Sequence, residues 1–401
     1  MATGWQPVVV KFMPIETQAN PVPFAAPQGI DVDRIEKELA SMWSSASEVK
    51  DDSGGAGVTR ACALNLIVYT TPKDDRDQLE ELLSQVNEHH PGRTLILVAE
   101  RETKESGLEA FVSMRCRMLG GTGKQICGEQ VTIEARGTLV ETAATAVAPL
   151  LVPDVPVYVW WKDIPHYADK LFDRMAQMAD RIIIDSAAFD HPYEDLLQLR
   201  KIIGDQARRL RVSDLNWGRL TSWRALLSSF WDVPAYRSRL DKIDRATIVY
   251  RPSAEAPNEI GATALLLAGW LSVRLGWELD GVRLSDAKAE FDLRVADRLV
   301  VLSLMRDRVA ERNDRMISSI TLAAEKEASA FSVALRAQGA KLETEARIGN
   351  EHSLGRVLGY ERRSDAERLS RELTFLRRDS TYEEAMAQTA RLIESIRDLK
   401  S

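Results

Sequence analysis

The chain has 401 residues, 45% hydrophobic and 28% charged, the balance of a soluble globular protein long enough for two or three folding units. Its 53 basic and 60 acidic residues leave a formal charge of −7. That excludes bulk attraction to nucleic acid, because phosphate neutralisation needs a basic surface. Three cysteines are too few for a secreted disulfide scaffold, and their odd number fits a reducing, cytoplasmic compartment.

Residues 1–55 read as an N-terminal extension. Pro14, Pro21, Pro23 and Pro27 keep its start irregular. Asp31 or Asp33 opens a helix through Ile35, Leu39 and Trp43, and Asp51-Asp52-Ser53-Gly54-Gly55 forms a flexible joint. Residues 56–235 alternate between β and α. Leu64–Tyr69 is a strand, Asp75–Glu88 a helix with leucines at 79, 82 and 83, and Arg93–Ala99 a second strand. Leu108–Leu119 and Gln125–Ala135 are strands joined by Gly120-Gly121-Thr122-Gly123, a hairpin signal. Leu139–Leu151 reads as an alanine-rich helix, Val155–Trp161 as a strand, Tyr167–Ala179 as a helix, Arg181–Asp185 as a strand and Tyr193–Arg209 as a helix. The pattern predicts an α/β domain: a mostly parallel, helix-covered sheet with one antiparallel hairpin insert.

Residues 236–401 read as an α+β domain, with the boundary falling within 180–240. A helix over Ser213–Trp231 precedes it, with an apolar face of Leu220, Trp223, Leu227 and Phe230. Ala246–Tyr250 is a strand. Ile260–Trp277 is the most apolar stretch, but Arg274, Gly269 and Ser272 interrupt it, so it reads as a buried helix rather than a membrane span. Phe291–Val295, Leu299–Met305, Met316–Leu322, Ala328–Leu335 and Lys341–Ile348 form an antiparallel meander. Ser364 with Glu367, and Thr381 with Glu384, are capping boxes that announce terminal helices.

The glycine cluster fails as a phosphate loop. A Walker motif ending at Gly123-Lys124 needs glycine at 118 and Ser or Thr at 125, where the chain has Met118 and Gln125. A dinucleotide fingerprint from Gly121 needs glycine where Ile126 stands, and both motifs need a helix next. The five histidines have no metal-ligand spacing, and no nucleophile elbow or kinase signature occurs. No cofactor or metal is expected.

If the hairpin turns on Gly121-Thr122, facing residues sum to 243, and Cys116 faces Cys127. Facing Cβ atoms ~4.5–5.5 Å apart can be bridged with some strain, and a strained, exposed bridge is the labile, regulatory kind. Two separate thiols packed as small hydrophobes are the other reading. Cys62 reads as a buried structural thiol. Five of the nine tryptophans fall between 217 and 277, mostly as core. The segment Asp214-Leu215-Asn216-Trp217-Gly218-Arg219-Leu220 mixes aromatics with polar groups, a combination enriched at protein interfaces, although Asn216 also suits a helix cap.

Asp214–Arg224 (DLNWGRLTSWR), Val152–Trp161 (VPDVPVYVWW) and Arg181–Ser186 (RIIIDS), in this order, resemble the glucose-6-phosphate dehydrogenase assembly protein family, also called OpcA. The resemblance implies a non-enzymatic protein that binds glucose-6-phosphate dehydrogenase, favours its active oligomer and raises flux into the oxidative pentose phosphate pathway. Cyanobacterial members are linked to thioredoxin control, which makes Cys116 and Cys127 the redox candidates. Asp214, Asn216, Trp217, Arg219, Trp223 and Arg224 are the candidate partner-contact residues. Neither nucleic acid nor membrane is an expected partner. The competing class is an α/β enzyme or sugar-phosphate binder using the carboxyl ends of the parallel strands, near Tyr69-Thr70, Ala99-Glu100, Trp161-Lys162 and Asp185-Ser186.

Overall fold

A computed structural model describes residues 20–22, 30–48, 58–118, 125–205, 210–252, 255–286, 288–307, 316–336, 341–359, 363–375 and 377–400. The expected joint at 51–55, the hairpin turn at 120–123 and most of the proline-rich start lie outside them. Strand β1 (Asn20–Val22) belongs to the stretch expected to be irregular. It pairs antiparallel with a later strand, with Pro21 opposite Phe111, at a sheet edge where a missing N–H is tolerated. Helix α1 (Val32–Glu48) buries Ile35 and Leu39 as their spacing requires. Strands β2 (Val58–Arg60) and β3 (Asn65–Thr70), helix α2 (Arg76–His89) and strand β4 (Arg93–Glu100) follow, then β5 (Gly107–Met118) and β6 (Gln125–Arg136). The register of β5 on β6 keeps a constant sum of 243, from Gly107 opposite Arg136 to Met118 opposite Gln125.

The helix expected over Leu139–Leu151 is broken. A 3-10 turn over Gly137–Thr142, the short helix α3 (Ala143–Val147) and a second 3-10 turn over Ala148–Leu150 replace it. Pro149 removes a helical N–H donor where the second 3-10 turn replaces the α-helix. Strand β7 (Val157–Trp161), helix α4 (Lys170–Met178), strand β8 (Arg181–Ile184) and helix α5 (Pro192–Gly204) match their expected places. The helix expected from Ser213 does not start there: Val212–Asp214 forms strand β9, parallel to β8. Helices α6 (Leu215–Arg219) and α7 (Thr221–Ser229) come next, with Leu220, Trp223, Leu227 and Phe230 all buried, then α8 (Pro234–Leu240).

Strand β10 (Ile243–Tyr250) and helix α9 (Ala262–Arg274) lead into β11 (Glu278–Ser285), β12 (Lys288–Val295), β13 (Arg298–Arg306), β14 (Ile317–Ala324), β15 (Ser329–Arg336), β16 (Lys341–Ile348) and β17 (Glu351–Gly359). Helix α9 is buried from Ala262 to Ser272. Among the described residues no helix is long and apolar enough to cross a membrane. The chain closes with α10 (Asp365–Glu372) and α11 (Ser380–Lys400). The Ser364–Glu367 capping box is present. The expected Thr381–Glu384 box is not the start of α11: Asp379 accepts from the Tyr382 amide (3.0 Å), and Thr381 lies inside the helix.

Contacts divide the chain into two compact units, residues 1–66 with 90–155, and residues 67–89 with 156–401. In the first, β1, β5, β6 and β4 lie side by side, β4 parallel to β6 and β5 antiparallel to it, with β2 also parallel to β6. In the second, β3, β7, β8 and β9 lie in that order; β7, β8 and β9 run parallel, under α4 and α5. The second unit also holds an eight-stranded sheet of order β11-β12-β13-β10-β14-β15-β16-β17. The expected meander is thus split: β10 sits in its middle, parallel to β13 and antiparallel to β14. The fold is α/β with a mostly parallel sheet and an antiparallel hairpin, plus an α+β part of antiparallel strands and terminal helices.

Candidate functional site

The motif segment 214–224 starts where β9 ends. Asp214 caps α6 by accepting from the Asn216 amide (2.9 Å). Its carboxylate also accepts from the Ser186 amide (3.0 Å), the Ser186 hydroxyl (2.6 Å) and the Tyr382 hydroxyl (3.2 Å). The Asn216 amide group donates to Ser186 Oγ (3.0 Å), and Thr263 donates to Asn216 Oδ1 (2.9 Å). All five side chains are buried, so the cluster ties the end of β8 to α6, α9 and α11 from within. Burial, reinforced by the nearby Asp185 charge, outweighs the hydrogen bonds from Ser186 and Asn216 and raises the Asp214 carboxyl to about 6.

Trp217 is also buried. Its indole donates to Asp379 (2.9 Å), its ring leans on Tyr382, and the Arg224 guanidinium lies 3.4 Å from the ring centroid, a cation–π contact. Burial lowers Arg224 to about 10. Arg219 grips Asp185 with two nitrogens (2.5 and 2.7 Å) and reaches Asp365 on α10 (3.3 Å). Burial opposes the Arg219 charge, and Asp185 more than restores it. Trp223 is buried in the core. Of the six candidate contact residues, therefore, Asp214, Asn216, Trp217 and Trp223 face inward, while Arg219 and Arg224 keep solvent-accessible surface.

The carboxyl ends of β3 and β7 are occupied in the same manner. Asp74 accepts from Thr70 (2.5 Å) and Lys162 (2.8 Å), and these bonds hold its carboxyl below the ordinary range against the opposing effect of burial. Lys162 lies over the Trp160 ring. In the first unit, Glu100 pairs with Arg136 (3.7 Å). Thr70, Glu100, Lys162, Asp185 and Ser186, the strand-end polar groups of the competing reading, each have a polar partner nearby. Among the described residues no group of three His, Cys, Asp or Glu is placed to hold a metal ion.

In the hairpin, Cys116 and Cys127 are Cα partners. Cys127 is fully buried and disulfide-bonded; Cys62 is free, and burial raises its thiol. Two residues along β6, buried Glu129 accepts from Trp43 (2.6 Å) and pairs with Arg93 (2.6 Å) and Arg60 (2.7 Å), while Arg93 also holds Glu36 on α1 (2.5 Å). Sequence reading missed this ion cluster and missed Ser186, Thr263, Tyr382 and Asp379 as partners of the motif. Only the strand-end position of Asp185-Ser186 pointed toward them.

Two family models match the chain in order: the glucose-6-phosphate dehydrogenase subunit N-terminal domain over residues 84–201 and the C-terminal domain over 210–386. The chain belongs to the OpcA family. OpcA of Synechocystis sp. is 26% identical over 341 residues, covering 65% of this chain and 68% of its own. OpcA of Synechococcus elongatus is 32% identical over 188 residues, covering 47% of this chain and 40% of its own. Among solved structures, levoglucosan dehydrogenase in complex with NADH and L-sorbose is 12% identical with a TM-score of 0.46, over 84% of this chain and 98% of its own. A likeness at that level carries no inference about chemistry. Within this OpcA-family chain, segment 214–224 is tied to α10 through Arg219 and Asp365 and to α11 through Asp214 and Tyr382.

Proposed function

We propose that the chain is a non-catalytic assembly factor that binds glucose-6-phosphate dehydrogenase in the cytoplasm, favours its active oligomer and so serves the oxidative pentose phosphate pathway. The observation that carries this reading is the ordered match of both family models, whose descriptions name that dehydrogenase. A binder that prefers one state of its partner shifts the population by differential affinity and needs no chemistry of its own. Arg219 and Arg224, the motif residues with accessible surface, are our candidates for partner contact, and the Trp217 ring packs against the Arg224 guanidinium. The redox part of the proposal assigns Cys116 and Cys127 as a switch reduced by a dithiol protein such as thioredoxin. Its support is that Cys127 is disulfide-bonded and lies on the strand whose Glu129 anchors Arg93, Arg60 and Trp43.

The test mixes the full chain with the dehydrogenase and measures complex mass and dehydrogenase activity, oxidised and reduced. A complex with raised activity is expected, its redox dependence lost in Cys116→Ser and in Cys127→Ser. Absence of any complex in both redox states overturns the assembly role. A complex whose redox response survives both substitutions removes the switch alone.

A further inference from the structure

The eight-stranded sheet has one covered face. Ile248, Leu302, Phe291, Leu322, Phe331 and Val333 are buried on it, and Phe331 packs against Phe230, Trp231 and Tyr236. The ladder register places the alternate residues on the opposite face in three rows. The first runs Ser285, Lys288, Met305, Val249, Ser319, Ala334, Glu343, Val357. The middle row is Arg283, Glu290, Ser303, Thr247, Thr321, Ser332, Glu345, and the third is Gly281, Asp292, Val301, Arg245, Ala323, Ala330, Arg347, His352. This face keeps accessible surface, most of it toward the flanks: Met305 is 37% exposed, Val357 61%, and the side chains of Lys288, Arg245 and Glu345 about half, while the small central residues Ser303, Ala323 and Ala334 are buried.

We propose that this face is the interface between two copies of the chain, related by a two-fold axis parallel to the strands and midway between β10 and β14. Three features carry it. Eight strands ~4.8 Å apart and about eight residues long present roughly 1,000 Å². That meets the ~800 Å² per partner of a standard interface. Within these three rows the four central strands present twelve residues of which Arg245 alone is charged, with Arg336 one step beyond Ala334 on β15 and the other charges at both flanks, as in an interface with an uncharged core and a polar rim. The third feature is self-complementarity. The axis lays β12 of one copy over β16 of the other, so Lys288 meets Glu343 and Asp292 meets Arg347, and symmetry repeats both pairs. Glu290 meets Glu345 in the middle row, and each carries its own basic neighbour, Lys288 (2.7 Å) and His352 (2.9 Å). The three rows set four carboxylates against four Lys or Arg side chains and His352, so self-docking here escapes the repulsion of a chain with net charge −7.

The test is sedimentation equilibrium of the full chain over a wide concentration range. Wild type is expected to show twice the chain mass, and Thr321→Arg, which sets two charges beside the axis, to remain monomeric. Lys288→Glu and Glu343→Lys are each expected to raise the dimer dissociation constant at least about tenfold, and the double variant to restore it. All three positions lie on the open face, so circular dichroism and Tm should stay at wild-type values. A monomeric wild type overturns the proposal, as does a dimer indifferent to these substitutions. Loss of dehydrogenase activation by the single variants, with no effect on self-association, assigns the face to that partner and equally overturns it.

Discussion

Asp214 is the residue on which the motif turns. An unfolded aspartate titrates near 4, and the folded chain holds this one to about 6. Between those values the folded state carries a proton that the unfolded state has lost. The contribution to stability therefore falls as pH rises through that window and is level above it. Asp214→Asn removes the titration and leaves the Ser186 and Tyr382 hydroxyls facing an amide, a loss of about 1–3 kcal/mol. Its cost relative to wild type should be larger at pH 4 than at pH 7, by up to ~3 kcal/mol; urea denaturation at the two values reads it. The sequence marks Asp214 and Asn216 through the mix of aromatic and polar groups around Trp217 and the family resemblance, not through the strand-to-helix step that the structure shows there. It places Ser186 at a strand end without linking it to Asp214 and gives no sign of Thr263 or Tyr382; the three lie 28, 47 and 168 positions from their partners in the network. Residue-level side-chain networks are set by tertiary approach, which leaves no local period to read. Trp217 shows the same limit: a composition typical of interfaces belongs to an indole buried between Asp379 and Arg224.

Elements with a regular apolar period were legible. Helices α1, α2 and α9 and strands β4, β6 and β13 fall where their patterns place them. Strands β11 and β17 were not. In β11 a register shift between Leu279 and Gly281 interrupts the alternation, and β17 is exposed throughout the residues whose burial is described, so it has no apolar face to detect. The loss of α-helix at the end of Leu139–Leu151 was readable in Pro149, whose cost outweighs the favourable alanines before it, whereas the 3-10 turn over Gly137–Thr142 had no such signal. Between α9 and α11 the decisive residue is Gly269. A Cβ there would meet the Ala385 carbonyl oxygen and Thr389 Oγ1, and a backbone atom cannot swing aside. Gly269→Ala, which on an exposed helix would stabilise, should here destabilise by about 1–3 kcal/mol, visible as a lowered Tm.

At the scale of the whole molecule, α11 closes the second unit. It lies on α9 and α5, buries Tyr382, Met386, Leu392, Ile393 and Ile396, and brings Tyr382 to Asp214. A chain ending at Asp379 should lose cooperative unfolding in that unit, and hydrogen exchange should show α9 unprotected rather than slow. The central position of β10 has a consequence for the order in which the molecule assembles. During synthesis β10 emerges before every strand it will touch, and both its neighbours, β13 and β14, come roughly fifty or more positions later. The β11–β13 and β14–β17 groups can each zip locally, but neither completes the sheet until the older strand slides between them. Insertion of β10, a loop closure over long chain separations, is therefore the step expected to limit refolding. While it waits, two unpaired strand edges stand open to the wrong neighbours.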